Sequence, residues 1–144
     1  MNNRSRSTLF LIEQLIVIAV FAVCAAACVK ILTDAYFTTN HSKDVSNALL
    51  AAENSAESFK AAGGDLSQVA RILGGDASTL NGAPVVIVYF DKQWSACGDV
   101  SGASYVLRLT VSQGNSSSLQ SGDISVEKLT GEELVALTVT ARSH

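Results

Sequence analysis

Proline is almost missing from this chain: Pro84 is the only one in 144 residues. Proline breaks helices by removing an amide donor and clashing with the preceding turn, so its scarcity leaves long helices unopposed. Between Lys30 and Ala62 there is neither proline nor glycine. Cysteine is sparse and odd in number, with Cys24, Cys28 and Cys97. That set provides neither a disulfide framework nor a zinc spacing. Histidine is reduced to His41 and the terminal His144, and the sequence places neither beside an activated nucleophile. Positive charge is also short: from Asp34 onward 7 Lys and Arg face 12 Asp and Glu. Nucleic-acid binding calls for clustered positive charge, so no nucleic-acid partner is expected. Asp91, Asp99 and Asp123 are too scattered for a calcium loop, and Gly63-Gly64 and Gly74-Gly75 match no phosphate loop. No catalytic residue, metal or cofactor is indicated, and of the function classes an enzyme is the least supported.

What the chain does have is a long apolar stretch near its start. Arg4 and Arg6 precede it, and residues 15–29 carry no polar side chain apart from the thiols of Cys24 and Cys28. An 18-residue helix over 15–32 is about 27 Å long, just enough to cross hydrocarbon. Counted from Leu9 the span is comfortable. The arginines favour a cytoplasmic N-terminus, which puts the remainder outside. Three readings compete: a retained anchor helix, a signal peptide cut after the small residues Ala25-Ala26-Ala27, and a lipoprotein acylated at Cys28. The helical composition that follows, without a flexible polar linker, favours the retained helix. Cys24 and Cys28 share a helix face, where small side chains allow close helix packing.

Glu13 lies within the apolar stretch. A carboxylate at mid-bilayer costs roughly 2.5–3.5 kcal/mol on insertion scales, so an acid there is a functional hypothesis. If the span is 15–32, Glu13 and Gln14 instead lie among the headgroups, with Arg4 and Arg6 near enough to pair. If it begins at Leu9, the acid needs another partner.

Beyond the membrane segment, Val45, Leu49, Ala52, Ala56 and Phe59 alternate spacings of four and three, an apolar helical stripe. Asp44, Asn47, Glu53, Asn54, Glu57 and Lys60 fall elsewhere, mostly on the wet side. Gly63-Gly64 ends the helix, so residues 9–62 are predicted as one helix of roughly 80 Å. Asp65 to Gln68 resembles a capping box opening a short helix through Leu73. Residues 85–90 are a β-branched and aromatic run that suits a central strand. Residues 105–111, 123–129 and 134–141 predict three further strands in an antiparallel meander, with a Ser-rich loop over 114–122 and a turn over 130–132. Trp94 is expected in the core, and Cys97 as a small buried residue or idle thiol. The Asn40-His41-Ser42 and Asn115-Ser116-Ser117 sequons are common chance patterns and carry no assignment. The predicted class is α+β, with one long N-terminal membrane helix packed on a small antiparallel sheet of about four strands. Residues 1–8 form a cytoplasmic leader-like segment, 9–33 the membrane half of the helix, and 34–144 an extracytoplasmic domain.

The segment Leu9-Phe10-Leu11-Ile12-Glu13-Gln14-Leu15-Ile16-Val17-Ile18-Ala19 resembles the N-terminal motif of type IV pilins and pseudopilins, commonly written GFTLIELLVVIAI. The predicted order of one long helix and then a sheet is similar to the rest of that family. The resemblance implies a structural subunit of a type IV pilus or type II secretion-like filament in a bacterial envelope, packed through its N-terminal helix against other pilin-like subunits. It implies cleavage between Thr8 and Leu9 by a prepilin peptidase, which makes Leu9 the new N-terminus. It also assigns Glu13 to assembly, opposite the new amine of a neighbouring subunit. Thr8 stands where the family has Gly, Leu9 stands where Phe is usual, and the membrane segment has no proline. Those differences favour a minor pilin or pseudopilin over a major subunit. The alternatives are a membrane-anchored extracytoplasmic binding module that does not polymerise, or the lipoprotein acylated at Cys28.

Overall fold

Alanine-rich, glycine-free sequence with no proline runs as one helix until glycine stops it. In a computed structural model, which describes residues 3–113 and 119–142, helix α1 spans Asn3–Ala61, 59 residues. The side chains of Arg4 and Arg6, His144, and residues 114–118 of the predicted loop with the Asn115 sequon lie outside the described residues. The helix ends where Gly63 and Gly64 take φ of 60° and 88°, a left-handed conformation that glycine enters without a Cβ clash. The Gly64 amide donates to the Phe59 carbonyl at 3.1 Å, satisfying one of the terminal acceptors. Helix α2, Leu66–Leu73, follows at once. Asp65 caps it by accepting from the amides of Ser67 and Gln68, and Gly74 closes it at φ 69°.

The chain divides after Ser42 into two units, the second being Lys43–His144. That boundary lies beyond the hydropathy boundary at 33, because the two mark different events. One is where apolar composition ends; the other is where side-chain packing begins.

In the second unit the strands are β1 (Asp76–Leu80), β2 (Ala83–Phe90), β3 (Ala96–Cys97), β4 (Tyr105–Gln113), β5 (Leu119–Lys128) and β6 (Glu133–Arg142). They form one antiparallel sheet in the order β1-β2-β4-β5-β6, with β3 also pairing β2. The sheet therefore has six strands where about four are predicted. β3 is only two residues, Tyr89 opposite Cys97 and Phe90 opposite Ala96. β1 is a true edge strand without a buried residue, so no apolar alternation betrays it. Its signal is the turn: Asn81 and Gly82 have φ of 52° and 83°, the pair of positive values a two-residue hairpin requires. β5 also begins earlier than predicted, at Leu119, inside the Ser-rich stretch.

One face of the sheet meets α1. Val86, Val88, Leu107, Leu109, Ile124, Val126 and Val139 pack with Ala48, Ala52 and Phe59 of the helix. The registry pairs Val86 with Leu109 and Val88 with Leu107, and next Leu109 with Ile124 and Leu107 with Val126. These rows therefore stand on the same side of the pleat. Gly122 leaves room for Phe59: an added Cβ there would come within 3.3 Å of the Phe59 ring.

The buried helix face differs from the predicted stripe. Ala48, Ala52, Ser55 and Phe59 are fully buried, whereas Leu49 is 43% exposed. Ala48 and Ser55 are too small to register in a hydropathy pattern, yet small side chains are what let a helix backbone approach a sheet. Asp44, expected on the wet side, is half-buried.

Candidate functional site

On α1 the apolar stretch is bare. From Leu9 to Leu32 every large apolar side chain is exposed, from 52% for Ile12 to 76% for Phe21. A helix apolar on all sides is buried in lipid or protein. Residues Ser7–Ala61 contain a window long and apolar enough to cross a membrane. Thr8, Leu9, Glu13, Cys24 and Cys28 all lie exposed on this helix. Leu9 and Glu13 are four residues apart, so they share a face one turn from each other. Cys24 and Cys28 do the same. The Thr8–Leu9 bond is itself within α1.

The hydroxyls farther along are satisfied within the helix. Thr33 donates to the Val29 carbonyl at 2.9 Å, Thr38 to Asp34 at 2.9 Å and Thr39 to Ala35 at 2.8 Å. A hydroxyl already bonded inside its own helix costs much less to desolvate than an unpaired one. These positions therefore tolerate an apolar neighbour.

In the second unit, the polar residues gather where α1 meets the ends of β4 and β5. The Tyr105 hydroxyl donates to Asp44 Oδ1 at 2.8 Å. Lys128 Nζ lies 3.3 Å from Asp44 Oδ2 and 2.9 Å from Glu132 Oε2. Trp94 stacks on Tyr105 with ring centroids 4.1 Å apart and a 20° tilt, and its ring also meets that of Phe90 at 5.8 Å. Trp94 itself has φ 63°, held by a turn in which Asp91 accepts from the amides of Gln93 and Ser95. Burial, and then the carboxylate of Asp44, push the Tyr105 hydroxyl above its ordinary pKa. Glu132 chiefly, and Asp44 after it, hold the Lys128 ammonium above its own, against the opposing effect of burial. Sequence reasoning misses this cluster, because nothing local signals that residues so far apart meet.

Beside it runs a groove of about 600 Å³, lined among others by Asn47, Leu50, Asn54, Ile72, Phe90 and Trp94. Its walls are apolar and aromatic with an amide rim. Trp94 is thus a partly exposed wall packed on the core. Cys97 is half-buried in β3.

The acids considered for calcium are engaged locally. Asp99 accepts from the Ser101 amide and hydroxyl, and the hydroxyl bond chiefly lowers its pKa. Asp123 accepts from Thr138 at 2.8 Å. Asp65 is lowered in the same way, by Ser67 first and the Gln68 amide next. Among the described residues no group of three His, Cys, Asp or Glu is placed to hold a metal ion.

No known family, no characterised protein and no solved structure matches this chain.

Proposed function

We propose that this chain is a membrane-inserted structural subunit of the minor pilin or pseudopilin kind. It would assemble through α1 into a type IV pilus or type II secretion-like filament. One observation carries the reading: an apolar helix exposed on every side from Leu9 to Leu32, with the single acid Glu13 near its start. Insertion in a bilayer covers the apolar surface, but among the described residues no cation of the chain is paired with Glu13. An ammonium at contact distance on a neighbouring helix offsets part of the cost of burying that carboxylate and sets the axial register between helices. A prepilin peptidase acting between Thr8 and Leu9 would supply that ammonium. In this reading the N-terminus is cytoplasmic and the Lys43–His144 unit extracytoplasmic.

The groove on that unit supports a second reading, a binding module that α1 merely anchors. Helix that continues past Cys28 without a linker counts against the lipoprotein. Two measurements separate these readings. The intact mass of the protein from membranes should show a chain beginning at Leu9; one beginning at lipidated Cys28 would mark a lipoprotein. Glu13→Ala should abolish co-sedimenting filaments while leaving the protein in the membrane. Filament yield equal to wild type in that variant would refute the assembly role.

A further inference from the structure

Between Glu13 and Lys43 the helix carries two formally charged side chains, Lys30 and Asp34. They are four residues apart, and both are exposed. Residues at this spacing share a helix face, yet no ion pair links them within the chain. Lysine preceding the acid is the less favourable order for a pair along one helix. On their side of the helix Phe37 is 66% exposed, and Ile31 at its edge is 68% exposed. Ile16, Ala19, Val23 and Ala26 fall on the same side of the helix by its 3.6-residue period. Thr33 and Thr38, flanking the two charges, are bonded internally. The face thus presents one cation and one anion, about 6 Å apart along the axis, in surroundings otherwise ready to be dried.

We propose that this face docks on a second copy of the chain, with Lys30 of one copy paired to Asp34 of the other. The inference rests on the assembly reading above. Covering Val23, Ala26 and Phe37 with a neighbouring helix draws both charges out of water. A buried charge left alone is strongly unfavourable, whereas one meeting its opposite is compensated. Copies inserted the same way are parallel, and a stagger of four residues, about 6 Å, then sets Lys30 of one level with Asp34 of the other. Like charges set opposite each other also count against wrong registers.

The test uses full-length chains carrying two different tags, co-expressed and co-isolated from membranes in mild detergent. Wild-type copies are expected to co-isolate. Lys30→Asp paired with itself sets acid against acid, Asp34→Lys paired with itself sets cation against cation, and each should lower co-isolation about tenfold or more. Lys30→Asp co-expressed with Asp34→Lys should recover most of the wild-type level, because each chain supplies the charge the other lost. Co-isolation unchanged in either single variant would overturn the proposal, as would loss without recovery in the mixture. Failure of the wild-type copies to co-isolate would overturn the assembly reading, and this proposal with it. Zero-length carbodiimide coupling gives a second measurement on unaltered protein. Light and heavy-isotope chains are mixed in detergent and reconstituted together. The Lys30–Asp34 cross-linked peptide should appear in mixed-isotope form; peptides of single isotope alone would refute the pairing.

Discussion

Tyr105→Phe removes one atom from the contact that ties α1 to the sheet. The hydroxyl donates to Asp44 Oδ1 at 2.8 Å; the tyrosine is 8% exposed and the Asp44 side chain 22%. A hydrogen bond to a charged group contributes about 1.5–3 kcal/mol. Asp44 keeps Lys128 at 3.3 Å and some access to water, so the lower end applies and the loss should be about 1.5 kcal/mol. The ring stays, and with it the stack on Trp94. For a unit of this size that loss should lower the melting temperature by about 5–10 °C. Trp94 is the only tryptophan and sits on the mutated ring, so its fluorescence reports unfolding of full-length protein in detergent. A cycle with Asp44→Ala should give a coupling of about 1 kcal/mol or more. The pH dependence follows from the same contacts. Tyr105 and Lys128 both have folded pKa values raised above their ordinary 10.0 and 10.5. Their contribution is therefore complete below about pH 10 and is lost as pH rises through the folded values. Tyr105→Phe should blunt that alkaline loss. A stability change under about 0.5 kcal/mol, or additivity with Asp44→Ala, would refute the assignment of the tie.

Two further outcomes follow from the packing. Ser55 is fully buried in α1 and its hydroxyl has no partner among the described residues, so Ser55→Ala should stabilise the protein by about 1 kcal/mol in urea unfolding; destabilisation would reveal a partner for the hydroxyl. A Cβ at Gly75 would lie 2.5 Å from the Ile87 carbonyl oxygen, so Gly75→Ala should cost about 1–3 kcal/mol, and an unchanged melting temperature would show that the backbone yields.

Much of the architecture was legible because it was local. Gly63-Gly64 stops α1, Asp65 and Gly74 bound α2, and alternating apolar residues mark β4 to β6. What escaped had no local apolar signature. β1 lies wholly exposed at the edge, held by its pairing with β2 and by the Asn81-Gly82 turn. Leu49 fits an apolar stripe as well as Ala48 does, since neighbouring stripes on one helix overlap. Only the position of the sheet selects between them.

The candidate site divides the same way. That Glu13 stands alone in an apolar helix, and that Lys30 and Asp34 follow as lone charges, is determined by the order of residues and by the 1.5 Å rise of a helix. Which polar residues hold α1 to the sheet is not. Asp44, Tyr105, Lys128 and Glu132 come from three separate stretches of chain, and each alone reads as an ordinary surface residue. The sheet registry brings Tyr105 opposite Lys128, and the packing of Ala48 and Ala52 sets Asp44 above them. Contacts between distant segments depend on how layers stack, and only the tertiary structure could decide them.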